Sequence, residues 1–236
     1  MSNSFNKTNL DTYFKELGKE FRKLNGKKIP AEIILIGGAS ILINYGFRET
    51  TNDVDAIIIA SSAMKQAINN VGDRLDLPNN WLNKDFEQTD SYSSKLIQYS
   101  KYYKTFSNIL TIRTVSSEYL IAMKLKSFRA YKFDRSDIIG ILSNEKLNGN
   151  TLTLEQIKQA IITLYGSYEC ISTEAKAFIE TAVSLPDYEE RYKAVRNEEI
   201  DMRKFLINFE AEYPNQLKQS NLEDVLAIAR KKRSKQ

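Results

Sequence analysis

The chain has 236 residues, 42% hydrophobic and 27% charged, an ordinary globular balance that excludes wholesale disorder. It contains no histidine, which excludes histidine-based triads and histidine-ligated zinc and leaves carboxylates, lysines and tyrosines as the only general bases near neutral pH. Net charge is +4 and the isoelectric point is about 8.9, compatible with a polyanionic partner. Any metal is then expected to be a hard ion on oxygen ligands, such as Mg²⁺. The single cysteine, Cys170, rules out an intramolecular disulfide. Apolar runs such as Ile33 to Ile36 are far too short to cross a bilayer, and Met1 to Gly18 is too polar for a secretory signal. The expectation is a cytoplasmic protein with no membrane contact.

In chain order, Leu10 to Leu24 carries apolar residues at helical spacing. Glu32 to Ile36 is a short buried strand stopped by Gly37-Gly38, and Ala39 to Tyr45 is a helix ending at Gly46. Val54 to Ile59 is a second apolar, β-branched strand, and Met64 to Val71 is helical. Lys95 to Tyr99 and Ile109 to Arg113 read as strands. Ser116 or Ser117 caps a helix over Glu118 to Tyr131, and Asp137 to Leu142 starts another. After the Asn148-Gly149-Asn150 turn the pattern is helical throughout: a Thr153/Gln156 capping box, then helices over 174–184, 189–212 and 222–232 broken at Pro186 and Pro214. Strands alternating with helices, then helices alone, predict an α/β domain over residues 1–148 and a helical domain over 149–236.

Two short motifs can carry chemistry. In Ile36-Gly37-Gly38-Ala39-Ser40, a strand runs into two glycines and a helix start, where backbone N–H groups favour phosphate and Ser40 adds a hydroxyl. Taken alone, the pair also reads as a simple turn. In Asp53-Val54-Asp55 the two carboxylates share one side of a strand, the arrangement that grips a divalent ion. Taken alone, this also reads as a polar turn entering a strand. Together, about 15 residues apart, they set phosphate donors beside metal ligands, which phosphoryl or nucleotidyl transfer requires.

The stretch Leu35 to Ser40, followed by Tyr45-Gly46-Phe47-Arg48-Glu49-Thr50-Thr51-Asn52-Asp53-Val54-Asp55-Ala56, resembles the signature of the polymerase-β-like nucleotidyltransferase superfamily. It is most similar to the branch of AbiEii-type toxins of type IV toxin–antitoxin systems. Ala122-Met123-Lys124-Leu125 and Arg129 with Asp134-Arg135-Ser136-Asp137 stand where that branch has a helical lysine and a later aspartate. The resemblance spans roughly residues 30 to 142. It implies an α+β nucleotidyltransferase fold with a short mixed sheet, a nucleoside triphosphate substrate, and Mg²⁺ or Mn²⁺ on Asp53 and Asp55. It implies Gly37, Gly38, Ser40 and Arg48 as nucleotide contacts and Asp53, Asp55, Lys124 and Asp137 as catalytic residues. The acceptor it implies is RNA, at the 3′ end of a tRNA, with an antitoxin protein as partner.

Lys124 also stands out by itself, because Leu120, Ile121 and Phe128 place it on an apolar helical stripe. It either serves a site or snorkels to the surface. Asp134 and Asp137 either cap a helix or join the site. Arg48 holds a triphosphate or pairs with a carboxylate or solvent. Superfamily enzymes place a third carboxylate on a following strand, and Ile109 to Arg113 has none. Asp137 replaces it, or the chain is a degenerate nucleotide-binding module. A protein hydroxyl is the alternative acceptor. Tyr92, Tyr99, Tyr102 and Tyr103, with Lys95, Lys101 and Lys104, form a base-stacking cluster or a solvated strand pair. The basic tail from Arg230 to Lys235 is a nucleic-acid contact or a frayed terminus.

Overall fold

The computed structural model describes residues 4–26, 29–218 and 221–233, with only the backbone of 223 and 229–233. The side chains of the basic tail therefore lie outside the described residues.

Helix α1 (Lys7–Leu24) opens with a capping box between Asn6 and Asn9 and buries Leu10, Phe14, Leu17 and Phe21. Strand β1 (Ala31–Leu35) runs directly into α2 (Gly37–Asn44). Strand β2 (Val54–Ile59), α3 (Ala63–Arg74) and the two-residue β3 (Leu82–Asn83) follow, then β4 (Ser100–Phe106) and β5 (Leu110–Val115). The five strands form one mixed sheet in the order β3-β2-β1-β5-β4. Strand β1 is antiparallel to β2 and parallel to β5.

Every residue of β1 except Glu32 is buried, because helices cover both faces of the sheet. Ile33 and Leu35 pack with α1 and α3, while Ile34 and Ile36 point into the other core. That second core holds α4 (Ser117–Ser127) and α5 (Asp134–Leu147). It continues through α6 (Leu154–Tyr165) and α7 (Thr173–Ala182) to Val195 of α8 (Tyr188–Glu212), across the position after residue 148. Helix α9 (Leu222–Arg233) packs on α8 through Met202, Leu206, Val225 and Leu226. The capping box of Thr153 and Gln156 starts α6. Among the described residues, no helix is long and apolar enough to cross a membrane.

Two expected elements are corrected. Lys95 to Tyr99 is not a strand: Ser94–Ile97 is a 3₁₀ turn whose local bonds, including Gln98 N–H to Lys95 O at 3.0 Å, replace a ladder. The strand begins at Ser100. The helix expected to reach Tyr131 ends at Ser127, because Phe128 turns left-handed (φ 37°, ψ 47°). The Arg129 N–H then donates to the Asp134 carboxylate at 3.0 Å.

Candidate functional site

The pairing of β1 with β2 brings the two motifs together. Leu35 sits opposite Ala56, so the chain leaving β1 passes Asp55, and Ile36 N–H donates to Asp55 O at 3.1 Å. Gly37 then adopts φ +52°, a left-handed conformation that glycine takes without a Cβ penalty. Helix α2 starts there, and its N-cap residue Ile36 offers no side-chain acceptor. The first N–H groups of a helix have no intrahelical partner, so this end carries positive partial charge. Gly38 has a different constraint: a Cβ on it would lie 2.7 Å from both Arg48 Nη2 and Thr51 Oγ1. Glycine lets the segment after α2 fold back over the helix start.

These elements border a cavity of about 480 Å³. Gly37, Gly38, Asp53, Asp55, Arg48 and Lys124 all line it. Three lining residues are acidic, the third being Asp85, which follows β3. Burial, then the charges of Asp53 and Asp85, push the Asp55 carboxyl above the usual carboxylate range. Such a crowded set of hard oxygen donors gains from a divalent cation. Among the described residues no three histidine, cysteine or carboxylate groups converge into a preformed metal cage. Asp53 and Asp55 are hard oxygen donors on one cavity wall, of the kind that suit a divalent ion such as Mg²⁺.

Six lining residues are cationic: Arg48, Lys124, Arg129, Lys132, Arg196 and Arg203. Four of them converge on two fully buried carboxylates. Lys124 Nζ lies 2.8 Å from Asp134 Oδ1 and 2.9 Å from Asp137 Oδ2. Arg48 Nη1 donates to Asp137 Oδ2 at 2.7 Å, and Arg129 Nε to Asp134 Oδ2 at 3.0 Å. Arg196 Nη1 stands 3.7 Å from Asp137 Oδ1. Burial alone would lift the Asp134 pKa, but the Lys124 and Arg129 charges outweigh it and hold the carboxyl at about 2. Burial likewise works against the Lys124 ammonium, and Asp134 and Asp137 reverse that, raising its pKa. Four cations on two carboxylates leave positive charge in excess at the cavity.

Asp137 is fully buried behind Lys124 and Arg48 and does not line the cavity. Ser40 is a correction: it is fully buried away from the cavity, and its hydroxyl accepts the Val115 N–H at 3.1 Å. Its place one turn into α2 aims it at the end of β5. The tyrosine–lysine cluster is also dispersed. Tyr99 stacks on Tyr119 at 4.0 Å, Lys95 donates to Thr163 O at 2.7 Å, and Tyr103 and Lys104 both donate to Asp11.

Asp85, Lys132, Arg196 and Arg203 are cavity residues that sequence reasoning missed. Asp85 follows a strand too short to show a period. Arg196 had a readable signal: Tyr192, Val195, Glu199, Met202 and Leu206 recur at helical spacing, so charges ride on the buried stripe of α8.

A model for the family DUF6036, described as a nucleotidyltransferase of unknown function, matches residues 12–193. No curated protein and no solved structure matches the chain. The matched span holds both motifs, Asp85, Lys124 and the two buried aspartates, and stops before Arg196. It supports a nucleotidyltransferase family without reaching the narrower AbiEii-type branch. The chain belongs to the DUF6036 family of nucleotidyltransferases of unknown function.

Proposed function

We propose that the cavity binds a nucleoside triphosphate with a divalent metal and transfers the nucleoside monophosphate to an acceptor hydroxyl. The observation that carries this reading is the composition of one cavity: three carboxylates, an excess of cations and an uncapped helix start. The triphosphate lies against the N–H groups at Gly37 and Gly38, where the helix end and glycine's missing side chain favour close approach. Arg48 and Lys124, fixed by the buried aspartates, neutralise charge on the phosphates. Asp53 and Asp55 would hold Mg²⁺ or Mn²⁺, and Asp85 adds a further negative charge to the same cavity wall. When bound, such an ion polarises the α-phosphate and stabilises the leaving pyrophosphate. The acceptor oxygen attacks the α-phosphorus, the bond to pyrophosphate breaks, and a carboxylate of the acidic set takes the hydroxyl proton.

RNA, at the 3′ end of a tRNA, is the acceptor we favour. The net charge of +4 suits it, and the resemblance to AbiEii-type toxins is the remaining support. Action as a cytoplasmic toxin held by an antitoxin protein rests on that resemblance alone.

The test is pyrophosphate release from each nucleoside triphosphate, with Mg²⁺ and total RNA. Release by the wild type that Asp53→Asn removes supports the reading. Nucleotide binding without release, on RNA or on added protein, would replace it with a binding module.

A further inference from the structure

Helix α5 begins with a problem of hydrogen bonding. Its N-cap residue is Phe133, whose side chain accepts nothing. The carboxylates of its first turn, Asp134 and Asp137, lie where negative charge favours the open helix end, but both are committed elsewhere. Asp134 Oδ1 accepts from Lys124 and Asp134 Oδ2 from the Arg129 N–H and side chain. Asp137 Oδ2 faces Arg48 and Lys124, and Asp137 Oδ1 has no hydrogen-bond partner. No oxygen of either aspartate caps α5.

The missing acceptor comes from α8. Glu199 Oε1 accepts the Arg135 N–H at 2.8 Å and the Ser136 N–H at 3.3 Å, the latter 63 residues distant in sequence. Its other oxygen accepts the Ser136 hydroxyl. Glu199 is fully buried. The titratable groups that face it are Arg135 and Asp137 from α5, with Tyr192 and Arg196 on its own helix. Glu198 is itself engaged with Arg135 at 3.5 Å.

We infer that Glu199 is a positioning residue: from α8 it caps α5, leaving Asp134 and Asp137 to hold Lys124 and Arg48 at the cavity. The inference rests on the nucleotide-binding reading of that cavity. Without Glu199, the open N–H groups of α5 compete for the two aspartates, and the cations they hold lose their anchors. Helix α8 thus belongs to the site although the matched family span ends at residue 193. Burial, opposed by the Ser136 and Arg135 bonds, pushes the Glu199 carboxyl up to about 7. The histidine-free chain adds no imidazole titration in that range.

Calorimetric titration with Mg²⁺ and each of the four nucleoside triphosphates, combined with NMR of the Arg135 and Ser136 amides and the Lys124 side chain, tests this. In the wild type, the two amides and the Lys124 signals should move together with a midpoint near pH 7, and nucleotide affinity should rise as the carboxylate forms. Glu199→Ala should weaken affinity about tenfold, the worth of one charge-assisted hydrogen bond. Glu199→Gln, which keeps one acceptor but stays neutral, should hold the wild type's low-pH affinity at every pH and abolish the pH step, and it carries the test if the alanine variant fails to fold. Amides that titrate while Lys124 stays still, or a folded alanine variant with wild-type affinity, would overturn the inference. If no nucleotide binds even the wild type, the functional reading fails, and the Lys124 signals still decide the positioning claim.

Discussion

Arg48 Nη1 lies 2.7 Å from Asp137 Oδ2, an ion pair that ties the segment after α2 to the first turn of α5. Asp137 is fully buried and Arg48 nearly so, so removing one partner strands the other in a low-dielectric interior. Asp137→Ala should cost about 3–5 kcal/mol of stability in chemical denaturation. A loss below about 1 kcal/mol would mean that Lys124 and Arg196 do not depend on it.

Gly38→Ala is expected to act on function more than on folding. The added methyl meets Arg48 Nη2 and Thr51 Oγ1 at 2.7 Å, and the long arginine side chain is the part that can yield. Nucleotide affinity should fall about tenfold, as for one lost charge-assisted contact, while the thermal midpoint moves by only a few degrees. Unchanged affinity would place the phosphates away from α2.

Ser40→Ala should do the reverse. The Val115 N–H loses its buried acceptor, at a cost of about 1–3 kcal/mol. Nucleotide affinity, measured by the same titration, should not change. Weaker binding in a stable variant would return Ser40 to the nucleotide site.

Stability should depend on pH through two buried acids of opposite sign. The Asp134 pKa is depressed from 3.8 to about 2, so its contribution is present above about 4 and lost as pH falls through 2. The Glu199 pKa is raised from 4.5 to about 7, so its contribution is present below about 4.5 and lost as pH rises through 7. At 1.36 kcal/mol per unit these amount to roughly 2 and 3 kcal/mol. Denaturation midpoints of the wild type should fall between about pH 4.5 and 7, and those of Glu199→Gln should fall less. Parallel curves would assign the slope to other groups.

The strands β1 and β2 and the two motifs were legible because each combines a continuous apolar run with a glycine or aspartate break at its end. Lys124 was legible as a charge on an apolar stripe, and its partners Asp134 and Asp137 stood nearby in sequence. What sequence could not show was the direction of Ser40, which depends on how α2 is rotated against β5. The presence of Asp85 at the cavity was hidden by the shortness of β3. The cap on α5 was hidden by its origin on α8, since a contact between residues 136 and 199 leaves no local pattern. For the tyrosine–lysine run two readings stood open, and the structure places Lys101 to Lys104 on the β4–β5 strand pair, with Tyr103 and Lys104 tied to Asp11.

Transfer of a nucleoside monophosphate at the cavity through Asp53 and Asp55 is the step on which the proposed function stands. Its most direct measurement incubates the protein with Mg²⁺, α-³²P-labelled nucleoside triphosphates, total tRNA and cell protein, beside a folded Asp53→Asn/Asp55→Asn variant. Label should appear on tRNA with the wild type and vanish with the variant. Label on protein instead would keep the chemistry and change the acceptor. Label on neither, from a wild type that binds nucleotide, would contradict the claim.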